Sequence, residues 1–296
     1  MLFGTVFLAC ITTSRVVFAI VAALAGSLVM LCLRAQRRRC MRQARAGGGR
    51  SRAIFIRHGE STVNERGKLY REQGDPRPGR AYHEADFFDA RLTLAGREEA
   101  AIKVCARLSE VVANAEEGVV RAVISSTLTR ALETATLGVW PVLPPDGRRT
   151  TWTALDSVRE ATACEFRSQG GVDVPREVFE EKPCNLRRSI SEVCTEFPHI
   201  DFSQCANDDP LHHLETHEMV DKRVGEFATW LQRWVEHQRS ECGNVTMEVV
   251  VVSHYVFLSR LLSQLDSSGF GDGKPHGLEN GEVRVAPLDG LLALGG

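Results

Sequence analysis

No acidic residue occurs before Glu60, and every basic residue before Ala53 is an arginine: Arg15, Arg34, Arg37, Arg38, Arg39, Arg42, Arg45, Arg50 and Arg52. The chain therefore has two parts of unlike charge. Setting those nine aside leaves 27 of the 36 basic residues against 38 acidic ones, so residues 53–296 carry about -11 while the whole chain shows only -2. That balance excludes the broad basic face of a nucleic-acid-binding domain, and any anion site must be a local pocket. The nine cysteines include no Cys-x-x-Cys pair and no zinc-ligand spacing, which excludes a zinc ribbon or finger. Their odd, scattered set favours reduced thiols, although the spacing of Cys184, Cys194 and Cys205 leaves a disulfide open in an oxidising compartment. Internal repeats are absent too. What is present, 43% hydrophobic residues in 296, suffices for one large domain plus an appendage.

Val16 to Leu33 is a run of eighteen uncharged residues, at the lower limit for a helix that crosses a bilayer. Arginines follow it directly, and basic flanks stay on the cytoplasmic side. Residues 1–33 therefore read as a single-pass signal anchor that holds the catalytic domain in the cytosol, with an organelle transit peptide as the alternative. A cleaved signal peptide fits less well, because its positive charge should precede the apolar core. Residues 34–52, Arg-rich and ending in Gly47-Gly48-Gly49-Arg50, read as a flexible linker. The folded domain is expected over 53–296.

Within it, three short apolar runs end in polar clusters. Ala53-Ile54-Phe55-Ile56 leads into Arg57-His58-Gly59, Val119 to Ile124 into Ser125-Ser126, and Val249 to Val252 into Ser253-His254. Each reads as a buried strand followed by a helix. Such alternation predicts a mainly parallel α/β sheet, whose ligands bind beyond the carboxyl ends of the strands. Leu92 to Ala100 reads as a helix opening capped by Thr93, with Val104, Leu108 and Val111 continuing its apolar face. His217 to His237 reads as a core-facing helix through Val220, Val224, Phe227, Leu231, Trp234 and Val235. Lys68 to Asp89, rich in Gly and Pro, reads as a surface insertion.

Arg57-His58-Gly59 places a guanidinium beside an imidazole, with a glycine that permits close backbone approach to a ligand. This suits an anionic phosphate and a nitrogen nucleophile. The longer run Arg57-His58-Gly59-Glu60-Ser61-Thr62-Val63-Asn64 resembles the signature of the histidine phosphatase superfamily, the phosphoglycerate-mutase-like fold. Ser125 to Ala131 with Glu133-Thr134-Ala135, Val158-Arg159-Glu160 and Val252-Ser253-His254 resemble its later segments, in order, and the likeness spans roughly Ala53 to Val285. It implies a three-layer α/β/α sandwich around a mainly parallel sheet. It also implies that His58 attacks phosphorus while Arg57, Arg130 and His254 hold the equatorial oxygens, assisted by Ser61 and Asn64. Glu160 would protonate the leaving oxygen and then deprotonate the attacking water. Since His58 must attack as neutral imidazole, its other ring nitrogen is expected to bond to backbone. The implied mechanism needs no metal and no cofactor.

Two departures stand out. Tyr255 follows His254 where the family commonly has glycine, which narrows the pocket or sets a phenol beside the substrate. Ala161-Thr162-Ala163-Cys164 follows the acid segment in place of a glycine-containing stretch. The region from Cys184 to Ser203 is similar to a plant and fungal phosphoglycerate-mutase-like subgroup. There Arg187 either reaches the distal part of the substrate or is a surface arginine. His212, His213, Glu215 and His217 are a weak metal-site candidate. After Asn64 the chain lacks the tryptophan of a glycolytic mutase. It also lacks the Arg-His-Gly-x-Arg and His-Asp of acid phosphatases. The resemblance therefore implies a phosphomonoesterase acting on a phosphorylated small molecule or phosphoprotein, with no nucleic-acid partner. The alternatives are a non-catalytic phosphate-binding scaffold or a phosphoglycerate mutase.

Overall fold

The three apolar runs become neighbouring parallel strands. β1 (Arg52–Arg57), β2 (Val120–Ser126) and β4 (Met247–Ser253) form the centre of a five-stranded sheet, flanked by β3 (Thr150–Leu155) and an antiparallel edge strand β5 (Val283–Pro287), in the order β3-β2-β4-β1-β5. The computed structural model describes residues 51–75, 78–113, 118–147, 149–162, 182–210, 215–269 and 274–295. The run Val16 to Leu33 and almost all of the 34–52 linker lie outside these. Among the described residues no helix is long and apolar enough to cross a membrane.

Side chains alternate between the faces of each strand, so a strand covered on both faces must be apolar at consecutive positions. Ala53, Phe55, Ala122, Ile124, Val249 and Val251 pack on one face against helices α6 (His217–Cys242), α7 (Tyr255–Ser267) and α8 (Leu288–Ala293). Ile54, Ile56, Val123, Val250 and Val252 pack on the other. There they meet the stretch formed by α2 (Leu94–Glu99), a π turn (Ala100–Val104) and α3 (Cys105–Val112), together with α4 (Thr129–Thr134) and α5 (Ile190–Glu196). The expected three-layer α/β/α sandwich is the fold found. Each large aliphatic or aromatic side chain buried in these layers contributes roughly 1.5–3 kcal/mol.

Local readings hold where burial is two-sided. Thr93 caps α2, its hydroxyl accepting from the Gly96 N–H at 2.9 Å, and α6 buries Val220, Val224, Phe227, Leu231 and Val235. The expected insertion at Lys68 to Asp89 requires correction. Its first residues extend helix α1 (Thr62–Glu72), and Ala81 is fully buried beside Val63, Ala90 and Cys184, with Tyr70, Tyr82 and Phe87 packed around them. The stretch folds into two short 3-10 turns, Pro78–His83 and Ala85–Phe87, that contribute to this small core. Cys184, Cys194 and Cys205 are free thiols.

Candidate active site

In a parallel arrangement all carboxyl ends share one edge, and here the register pairs Arg57 with Ser253 and Ser125 with Val252. The three polar clusters therefore converge. The His58 N–H donates to the Ser253 carbonyl at 3.0 Å, and the two imidazoles of His58 and His254 lie 5.0 Å apart between ring centres.

His58 is buried, and its Nδ1 pairs with the Gly59 carbonyl at 2.7 Å. A carbonyl can only accept, so Nδ1 carries the proton and Nε2 keeps its lone pair. The expected backbone bond is present. Burial pushes the His58 imidazole well below its ordinary range, and the Arg130 and Arg57 charges push the same way, so the ring stays neutral. Asn280 supports that carbonyl from outside: its Nδ2 donates to the His58 oxygen at 2.9 Å and to the Gly59 oxygen at 3.2 Å. Gly59 itself serves packing. A Cβ there would sit 2.5 Å from the Gly96 carbonyl oxygen, and one on Gly96 would sit 1.9 Å from that of Glu60. The glycine expected to admit a ligand instead admits the backbone of α2.

Arg130, in the first turn of α4 just after β2, is 2% exposed. Its Nε points to His58 Nε2 at 3.2 Å, while Nη1 donates to the Cys184 carbonyl at 2.6 Å and Nη2 to Asn185 Oδ1 at 2.8 Å. Each terminal nitrogen keeps a further N–H. Arg57 donates to the Leu278 carbonyl at 2.7 Å, and its buried Nε has no partner among the described residues.

His254 is fully buried and driven neutral, first by desolvation and then by Arg130. Its Nε2 is 2.7 Å from the Ser126 hydroxyl. That oxygen also accepts from the Leu128 N–H at 3.3 Å, so its own proton is free to go to Nε2. With the Ser126 hydroxyl donating to Nε2, the ring proton sits on Nδ1, which is buried with no partner among the described residues. A buried unpaired donor costs about 1–3 kcal/mol, and an anion would satisfy it. Ser126→Ala should release this tautomer and weaken inorganic phosphate binding by about tenfold, readable by isothermal calorimetry. Unchanged affinity would remove Ser126 from the site.

Glu160 accepts from the Val256 N–H, 3.1 Å from Oε1 and 3.3 Å from Oε2, and from the Ala161 N–H at 3.0 Å. Val256 opens α7, so the carboxylate rests at a helix N-terminus. Tyr255 begins that helix, with its ring 5.0 Å from the Arg57 guanidinium carbon. Ser61 and Asn64 are occupied locally: the Ser61 hydroxyl and N–H donate to Asn64 Oδ1 at 2.8 and 3.2 Å, capping α1.

Arg187 occupies neither expected place. It is 3% exposed, donates to Asp156 Oδ1 at 3.0 Å, and spends its remaining donors on the carbonyls of Arg188, Ala206, Asn207 and Asp208. It ties loops together. Of the weak metal candidates, Glu215 accepts from Arg223 at 2.6 and 2.9 Å, while His212 and His213 lie outside the described residues. No group of three or more potential ligands occurs among the described residues. The residues missed in the sequence are Ser126 as a tautomer-setting partner, Asn185, Asn280 and the fully buried Arg159. Ser126 and Arg159, each inside a recognised motif, carried a signal; Asn185 and Asn280 did not.

No family model matches the chain. It is 28% identical over 193 residues to a phosphoglycerate mutase-like protein of Arabidopsis thaliana, covering 62% of this chain and 66% of that protein. Against phosphoglycerate mutase-like protein 1 of the same plant the identity is 27% over 211 residues, covering 66% and 67%. The chain is similar to phosphoglycerate-mutase-like proteins. It spans about two thirds of the length of those curated relatives. Among solved structures it is similar to the ecdysone phosphate phosphatase of Bombix mori, at 16% identity, a TM-score of 0.48, and coverage of 80% of this chain and 88% of that one. It is also similar to a mycobacterial glucosyl-3-phosphoglycerate phosphatase, at 15% identity, a TM-score of 0.40, and coverage of 80% and 92%.

Proposed function

We propose that the chain hydrolyses phosphomonoesters through a transient phosphohistidine on Nε2 of His58. The observation that carries this reading is the bond from His58 Nδ1 to the Gly59 carbonyl, which leaves the Nε2 lone pair facing the Arg130 guanidinium at 3.2 Å. A neutral imidazole so oriented is a nucleophile, and the cation beside it suits a phosphoryl group. Arg57 Nε and His254 Nδ1, both buried without partners among the described residues, supply further donors for the equatorial oxygens.

In the first step Nε2 bonds to phosphorus as the ester P–O bond breaks, and Glu160 in its acid form gives its proton to the departing oxygen. In the second, Glu160 as carboxylate takes a proton from water, whose oxygen bonds to phosphorus as the P–N bond breaks. Phosphate leaves and His58 is neutral again. The Val256 and Ala161 N–H groups fix the position of the Glu160 carboxyl group. The substrate is a phosphorylated small molecule or a phosphoprotein.

Turnover of p-nitrophenyl phosphate by the full chain, compared with His58→Ala, tests the reading; equal rates would leave a phosphate-binding module. Glu160→Gln should lower kcat by about 10²-fold for glycerol 3-phosphate and much less for p-nitrophenyl phosphate, whose leaving group needs no proton. Equal losses on the two esters would deny Glu160 the acid role.

A further inference from the structure

Tyr255 occupies an unusual place. The N–H of the next residue, Val256, holds Glu160, while the Tyr255 ring lies over the Arg57 guanidinium at 5.0 Å. Tyr255 therefore adjoins both the phosphate-holding arginine proposed above and the residue that anchors the proposed proton donor. The ring is fixed from the side: a Cβ on Gly277 would come within 2.8 Å of both its Cε2 and its hydroxyl. Yet it remains 39% exposed, one of few large apolar or aromatic side chains so open among the described residues. Tyr82 is linked to the other arginine through backbone carbonyls. The Tyr82 carbonyl accepts from the Cys184 thiol at 3.5 Å, and the Cys184 carbonyl receives Arg130 at 2.6 Å. Burial pushes the Arg57 guanidinium below its ordinary value, and Glu160, Tyr82, Glu279 and Tyr255 all oppose that. Both phenols thus lie within electrostatic reach of Arg57.

A rigid, half-open aromatic face beside the phosphate-holding Arg57 offers offset or edge-to-face stacking, which an alkyl chain cannot match. From this placement, and resting on the hydrolytic reading above, we infer that the site selects aryl phosphates, with the ring of the ester laid against Tyr255. Free aryl phosphates and phosphotyrosyl peptides present the same ring chemistry.

The test measures kcat/KM of the full chain for phenyl phosphate, a phosphotyrosyl peptide and glycerol 3-phosphate, in wild type, Tyr255→Leu and Tyr255→Phe. Comparing each variant with wild type on one ester cancels the intrinsic reactivity of the leaving group. Tyr255→Leu should lower kcat/KM for phenyl phosphate by about tenfold and for glycerol 3-phosphate by less than about twofold, while Tyr255→Phe keeps the wild-type bias. The peptide arm then reads the source: turnover equal to phenyl phosphate marks a phosphoprotein, and poor turnover a small aryl ester. An equal fall on aryl and alkyl esters would overturn the inference and make Tyr255 a positioning residue for Arg57 and Glu160. If no ester shows His58-dependent turnover, the hydrolytic reading falls and the inference with it. Because Tyr255 is partly exposed, matching thermal melts are expected to show that the variants fold.

Discussion

His58→Ala is expected to lower kcat for p-nitrophenyl phosphate by about 10⁴-fold or more, close to the uncatalysed rate left by phosphate binding alone. The substitution removes the only group placed to bond to phosphorus. The arginines and His254 would still bind the anion, so KM and inhibition by inorganic phosphate should change far less than kcat. That split separates a lost nucleophile from a collapsed pocket. The wild type should also incorporate radiolabelled phosphate in an acid-labile, base-stable form during turnover, as a phosphorus–nitrogen bond requires, and the variant should not. A folded His58→Ala chain that keeps a tenth or more of the wild-type rate would end the phosphohistidine mechanism. The neutral state of the ring supports a nucleophile active near neutral pH. Burial among Arg130 and Arg57 holds His58 uncharged where an ordinary histidine would already be partly protonated.

Much of this site was legible because its side chains sit at the ends of continuous apolar runs. Isoleucine, phenylalanine and valine at consecutive positions can only be a strand covered on both faces, so Arg57-His58, Ser125-Ser126 and Ser253-His254 had to meet at one edge. β4 was read as starting at Val249 because Glu248 interrupts the run. The structure begins it at Met247, with the buried Glu248 carboxylate held by Arg52 at 2.8 Å and Arg121 at 2.7 Å. β3 escaped notice because Thr150, Thr151 and Thr153 dilute its hydropathy, and β5 because Arg284 interrupts it. That arginine folds back onto the Pro275 carbonyl at 2.6 Å. The supporting residues were illegible for a different reason. Asn185 donates to the Ala161 carbonyl at 2.7 Å and accepts from Arg130, yet nothing in Cys184-Asn185-Leu186 distinguishes it from any loop asparagine. Its role exists only once distant segments are packed together.

Arg159→Met is expected to cost about 3–5 kcal/mol of stability, the penalty for removing one partner of a buried ion pair. Arg159 is 0% exposed, and its Nη1 pairs with Asp209 Oδ1. Nη2 donates to Asp209 Oδ2 at 3.0 Å and to the Asn185 carbonyl at 2.5 Å. Methionine fills similar space but offers no donor, so the buried Asn185 carbonyl loses the Arg159 donor and the Asp209 carboxylate loses its bonds to Arg159 while keeping the Arg187 N–H at 2.9 Å. The loss should appear as a lower urea midpoint at unchanged slope. Arg159→Met combined with Asp209→Leu should recover part of it, because neither charge is then left alone. A single variant within about 0.5 kcal/mol of wild type would contradict the ion-pair argument. The consequence reaches the site through Asn185, which shares its backbone oxygen with Arg159 and its side chain with Arg130 and the carbonyl after Glu160. Loosening it frees both the phosphate-holding arginine and the loop that carries the acid. In conditions where Arg159→Met remains folded, kcat should therefore fall together with phosphate affinity, whereas a defect confined to stability would leave both at the wild-type value. Buried cations are costly, and Asp156 and Asp209 offset that cost for Arg159 and Arg187, the two arginines that tie the loops around Asn185 together.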